Sequence, residues 1–177
     1  MRTFFLSIML LTTALLSAQN FKTFEKENVS LQHPAEWEIV DVDKKAKDNP
    51  DNPMLQSVLL EIKSDKNSNN SKGVEVVKID MAGKNATLSQ MQEYFEKMYK
   101  SMQGKVTILK KDAGEANGYE YKSMTLKVDD ADASQLGVQR VILEDEYVYV
   151  ISVSAPMAEF GNFKPTVDQI LDSFQVN

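Results

Sequence analysis

Few residue types in this chain could do chemistry, and their spacing argues against most reactions. His33 is the only histidine, and there are no cysteines. A thiol nucleophile, a thiolate metal site and a disulfide are therefore excluded. A zinc or iron site would have to be built mostly from carboxylates, a poor match to those metals. A lone His beside Pro34, at the end of a strand, reads as structural or solvent-facing. No Gly-x-Ser-x-Gly elbow, phosphate-binding glycine loop or His-Glu-x-x-His occurs. The sequence assigns no catalytic, cofactor-binding or metal-ligating residue.

Carboxylates are the remaining chemistry. Asp129-Asp130-Ala131-Asp132-Ala133-Ser134 is the densest acidic cluster, and its Asp-x-Asp-x-Ser spacing resembles the start of a calcium loop. The pattern then fails: Gln135 stands where such a loop needs Gly, and Val141 where it needs a bidentate Glu. The cluster reads as a solvated connection between strands. Asp41, Asp43, Asp48 and Asp51 form a looser acidic loop read the same way. A carboxylate pair could also serve glycoside hydrolysis, but sequence alone does not show the separation that chemistry requires.

The elements that position these residues follow from hydrophobic periodicity. Phe21–Glu25, Val29–His33 and Trp37–Val40 read as short strands, with Pro34 ending the second. Asp41–Pro53 is a charged loop. Met54–Ile62 and Val74–Met81 are strands joined by the wholly polar residues 63–73, expected to form a mobile hairpin loop. Thr87-Leu88-Ser89-Gln90 fits a capping box. Leu88, Met91, Phe95, Met98, Tyr99 and Met102 then share one helical face, ended by Gly104. Although a methionine-rich stripe can line an adaptable groove, the expectation is an ordinary core face.

Val106–Lys111 and Tyr119–Val128 read as a hairpin turning through Ala113–Gly118. Val138–Leu143 and Tyr147–Ser154 form a second hairpin. Both alternating sets of this second hairpin are apolar, as in strands covered on both faces. A last helix is placed near Pro165, a residue suited to a first turn. Val167, Ile170, Leu171 and Phe174 form its apolar stripe, with Phe160 and Phe163 upstream. The order of strands, helix, four strands and helix predicts an α+β domain whose antiparallel sheet lies between helices.

Residues 1–18 carry the features of a cleaved signal peptide. Arg2 is the positive end, Phe4–Leu16 the apolar stretch, and Leu16-Ser17-Ala18 the cleavage site. The stretch is shorter than the roughly 20 apolar residues a membrane span needs. Cleavage would leave residues 19–177 as a single domain. With 42% hydrophobic and 26% charged residues, the composition is that of a soluble globular protein. Arg2 is the only charge lost, so the net charge moves from −6 to −7. That acidity argues against nucleic-acid partners and against anionic membrane surfaces.

Phe24, Val29, Leu31, Pro34 and Trp37 together resemble the opening of the PsbP-like family: strand, Pro, short gap, Trp. The closing YVYVISVSAP (147–156) and KPTVDQILDSFQV (164–176) resemble its Tyr-rich strand and its terminal helix ending in Ser-Phe. DcrB-like proteins and the Ran-binding Mog protein share that fold. The resemblance implies an antiparallel sheet between helical layers. It also implies an accessory or assembly protein and not an enzyme, with Trp37 and the Ser173-Phe174 pair as packing residues. The chain lacks the basic face of photosystem-associated members and the lipidated cysteine of some DcrB-like ones. The expectation is an exported, periplasmic or extracellular, non-enzymatic binding protein that needs no cofactor. Its partner would be another envelope or secreted protein, and no membrane anchor would remain after cleavage. The alternative is a carboxylate-based hydrolase or a cation-dependent ligand binder.

Overall fold

The computed structural model describes residues 20–40, 55–102, 105–129 and 133–177. The expected signal peptide, the Asp41–Asp51 loop, Gly104 and Asp130–Asp132 lie outside them. In chain order the elements are β1 (Phe21–Lys26), β2 (Val29–Pro34), β3 (Glu38–Val40), β4 (Leu55–Lys63), β5 (Gly73–Asp80), α1 (Leu88–Ser101), β6 (Val106–Ala116), β7 (Tyr119–Asp129), β8 (Ser134–Glu144), β9 (Tyr147–Pro156), α2 (Met157–Asp172) and β10 (Gln175–Val176). Seven strands form one sheet in the order β3-β4-β5-β9-β8-β7-β6, and β1, β2 and β10 form a smaller one. Every pairing is antiparallel. The α+β architecture with a covered antiparallel sheet is as expected.

Two cores flank the large sheet, because its central strands present apolar side chains to both faces. On one face Val74, Val76, Tyr149, Ile151 and Val153 pack against α2 and the small sheet. On the other, Ile79, Val141, Val148 and Val150 pack against Met91, Phe95 and Tyr99 of α1. The capping box of α1 forms as anticipated: Gln90 N–H donates to Thr87 Oγ1, and Thr87 N–H donates to Gln90 Oε1. The methionine stripe is divided. Met91 is buried in the core, whereas Met102 is exposed.

Two local expectations are corrected. Helix α2 starts at Met157, and Pro165 lies inside it. Proline is costly in a helix interior, but Pro165 is exposed on the solvent side while Phe160, Phe163, Val167, Ile170 and Leu171 are buried on the other. Burial of that continuous face outweighs the one missing backbone bond. The turn between β6 and β7 is two residues, Asn117 and Gly118, with φ of 52° and 83°. Positive φ at both positions marks the primed turn whose twist matches the strands, so β6 runs on to Ala116. The loop at 63–73 is internally bonded. Ser64 N–H donates to Lys72 O, Asn67 N–H to Asp65 Oδ1 and Ser71 Oγ to Ser68 O. Gln135 Nε2 ties the loop to β8 through Asn69 O.

The C-terminus is held by side chains from three elements. Buried Arg140 on β8 donates to Leu171 O and pairs with Asp172, each at 2.8 Å, and lies over the Tyr121 ring at 3.9 Å. Asn117 Nδ2 donates to Asp172 O and Phe174 O. Ser173 Oγ donates to Ile170 O and accepts from Gln32 N–H. The carbonyls left over at a helix end need such donors.

Candidate functional site

The sequence-derived candidates turn out to be structural. His33 is 1% exposed, and its Nδ1 donates to Pro34 O at 2.9 Å. Burial, above all, lowers its pKa, so the ring is held neutral. Trp37 is 3% exposed and packs on Phe163 with ring centroids 5.7 Å apart. Asp129 is paired with Lys127 at 2.8 Å and accepts from Ser134 Oγ. The Lys127 hydrogen bond, followed by that of Ser134, lowers its pKa. Among the described residues no group of three or more His, Cys, Asp or Glu could hold a metal ion.

A different constellation emerges on the α1 face of the large sheet. Along β9 that face reads Val148, Val150, Ser152, Ser154, while the opposite face stays apolar through Tyr149, Ile151, Val153 and Ala155. The same change occurs on the neighbouring strands: Val77 gives way to Glu75 on β5, and Val141 to Gln139 on β8. The register aligns these changes in one row, Glu61↔Glu75↔Ser152↔Gln139. The next row is Lys63↔Gly73↔Ser154↔Gly137. Helix α1 lies over β6, β7 and β8 and covers the apolar part. This part holds a hollow of about 120 Å³ lined by Glu61, Lys63, Gly73, Glu75, Ser152 and Ser154, with Ile62 and Val74 also on its wall.

Beside the hollow, β8 packs closely on β9 at Gly137. A Cβ at Gly137 would fall 3.1 Å from Val153 O and 3.2 Å from the Ser154 Cβ. Lys63 Nζ pairs with Glu61 at 2.8 Å. Among the described residues no hydrogen bond or ion pair reaches Glu75. Desolvation, followed by the like charge of Glu61, pushes its pKa up. Because Glu75 is exposed overall, solvent screens this effect, and its direction is what matters. At the edge of the row, Gln139 Nε2 donates to Tyr99 Oη at 2.6 Å. Gln139 is 5% exposed, and its Oε1 has no partner. Burial raises the Tyr99 pKa, and the charge of Glu75 adds to the effect.

Among the described residues, three larger depressions are also present. One of about 870 Å³ lies between the β6–β7 hairpin and the start of α1, and its Thr87 hydroxyl is committed to the capping box. A second, about 420 Å³, lies over Trp37 and Phe163, and its Lys72 is paired with Glu159 at 2.7 Å. A third, about 410 Å³, is lined by Met81, Ala86, Met91 and Tyr94 at the start of α1.

The PsbP-like protein family matches residues 12–176, nearly the whole chain. The chain belongs to the PsbP-like family. Similar solved structures agree with this PsbP-like assignment. The solution structure of the cyanobacterial PsbP protein CyanoP from Synechocystis sp. PCC 6803 matches with a TM-score of 0.63 and 15% identity, over 95% of this chain and 99% of that one. LpqN of Mycobacterium tuberculosis, described as involved in cell envelope biogenesis, matches with 0.56 and 11%, over 84% and 83%. PA94 of Pseudomonas aeruginosa, a putative regulator of unknown function, matches with 0.51 and 10%, over 86% and 94%. At these identities the likeness is one of fold. No curated protein matches this PsbP-like chain.

Sequence reasoning missed Glu61, Glu75, Gln139, Ser152 and Ser154. The available signal was the one-sided change from Val to Ser within YVYVISVSAP.

Proposed function

We propose that this chain is an exported, non-enzymatic accessory protein of the cell envelope that binds a partner through the polar hollow on the α1 face. The observation that carries this reading is the aligned row of polar and small side chains interrupting an otherwise apolar sheet face. An unpaired carboxylate and an orphaned buried amide are groups a partner can satisfy. Export is supported by the composition of residues 1–18. An envelope role is in keeping with LpqN, a protein of like fold described as acting in cell envelope biogenesis. Among the described residues no helix is long and apolar enough to cross a membrane.

The test is a pull-down from envelope extract with tagged residues 19–177, alongside the Ser152→Val variant. A partner enriched by the parent chain and lost with the variant supports the reading. Equal capture by both moves the interface elsewhere. Mass spectrometry of the protein recovered from its native cell checks export, with Gln19 expected at the N-terminus.

A second reading, carboxylate-based hydrolysis, is favoured by one observation: Glu61 and Glu75 are cross-strand neighbours, and Glu75 holds its proton more tightly than usual. Reproducible turnover in a hydrolase screen, abolished by both Glu61→Gln and Glu75→Gln, would favour it over binding.

A further inference from the structure

We propose that the hollow is a subsite for a single primary alkylammonium group, such as the head of a lysine side chain or a free alkylamine. The proposal rests on the binding function assigned above and names the chemistry recognised there. Size is the first argument. About 120 Å³ is the space of roughly four liquid waters, well below the roughly 300 Å³ where drug-sized ligand pockets begin. One side-chain head fits, and a cofactor does not.

Charge is the second argument. Glu61 and Glu75 bring two negative charges and Lys63 one positive, which is bonded to Glu61 at 2.8 Å and also acts on Glu75 through space. The three together leave one net negative charge. A monocation restores neutrality. The third argument is the donor-acceptor balance. An ammonium carries three N–H donors and no acceptor. The hollow offers the Glu75 carboxylate and the hydroxyl oxygens of Ser152 and Ser154. One strand away, on the row of Ser152, the buried Gln139 Oε1 lacks a donor. A guanidinium, being larger and flat, would need a bidentate carboxylate with room on both sides. A phosphate or carboxylate ligand would meet like charge.

Binding requires Glu75 ionised. The charged or titratable groups facing it are Glu61 and Lys63 from β4 and Tyr99 from α1, while β8 and β9 supply only the neutral Gln139 and the two serines. Affinity should therefore rise with pH through the raised Glu75 pKa and level off above it.

The experiment is a 15N NMR titration of residues 19–177 with Nα-acetyl-lysine methylamide and, separately, with butylamine. The uncharged Nε-acetylated lysine derivative serves as control. The expected result is saturable shifts at the amides of Gly73, Glu75, Ser152 and Ser154 with both amines and none with the control. Glu75→Gln should weaken binding by about 10-fold or more, the loss of about 1.4 kcal/mol, and Glu75→Asp should restore part of it. A preference for the lysine derivative points to a protein partner, and equal affinity to a free amine. Shifts spread over the acidic surface, or unchanged by Glu75→Gln, overturn the proposal. If amines fail but Ser152→Val still abolishes partner capture, the hollow is a binding site for other chemistry. If Ser152→Val is silent too, the hollow is not the binding site, and both this proposal and its placement fall.

Discussion

At the scale of single residues, two charged side chains in the large sheet have opposite energetic roles. Arg140 is buried, and Leu171 O, the Asp172 carboxylate and the Tyr121 ring all receive its guanidinium, though its Nε has no partner. Replacing Arg140 by Met should cost about 2–4 kcal/mol, since charged hydrogen bonds are lost and buried carbonyl oxygen is orphaned. Lys should not rescue, because it lacks the fork that serves two acceptors and stacks on a ring. Urea unfolding of both variants checks this. Glu75 has no such partners. Its folded pKa lies above the ordinary carboxylate value, so the native state binds the proton more tightly than the unfolded chain does. Stability is then lost as pH rises through the folded pKa. Glu75→Gln should raise the melting temperature at pH 7, and the gain should fade as pH falls through the folded pKa and be gone below about 4.5, where both states of the parent are protonated. A melting temperature unchanged at pH 7 would show that burying the Glu75 charge carries no cost in stability. Retaining a residue that costs stability is what a binding site does.

At the scale of elements, the β6–β7 hairpin acts as a clamp on α2. Its turn places Asn117 at φ 52°, and the same carboxamide donates to Asp172 O and Phe174 O. Asn tolerates the left-handed region better than other residues with a Cβ. Asn117→Ala should therefore cost about 1–3 kcal/mol, from strain and two lost hydrogen bonds together. Asn117→Asp should cost at least as much, because a carboxylate cannot donate and sits badly at a helix C-terminus. Hydrogen exchange should show the last turn of α2 opening faster in both variants. Undisturbed exchange there would deny the clamp. The hairpin also forms an edge of the sheet, and β6 carries the usual protections: a bulge between Ile108 and Lys110, and the adjacent charges of Lys110, Lys111 and Asp112. Leu109 stands at that bulge, 54% exposed.

At the scale of the whole molecule, the sheet is the shared wall of two cores. Val76 and Ile151 face one, while Ile79 and Val150 on the same strands face the other. Neither core can lose its wall without the other, so the domain should unfold in one step. Phe95→Ala in the α1 core should lower stability by about 3–5 kcal/mol. It should shift the fluorescence of Trp37, which lies in the opposite core, and the far-UV circular dichroism to the same lower urea midpoint. Two separated transitions would show that the cores are independent.

Much of this architecture is local in origin and therefore readable from the chain. Alternation in Val138–Leu143 and Tyr147–Ser154 implied strands covered on both faces, because a side chain's face depends only on its parity along the strand. The capping box at Thr87 and the α1 face needed only contacts within one helix. Proline's placement misled, because its helical cost is local while the burial of Phe160 and Phe163 that overrides it is tertiary. The turn at Asn117-Gly118 was visible as a dipeptide, but its tightness depended on strand twist. Of the hollow, only the Val-to-Ser change on β9 was visible in the sequence. Glu61, Glu75, Ser152 and Gln139 lie on four separate strands, and only the register of β4, β5, β9 and β8 brings them into one row. The sequence by itself determined which residues could be buried and which faces were apolar. Only the tertiary structure decided which polar residues met, because strand order and register are set by packing across the whole sheet.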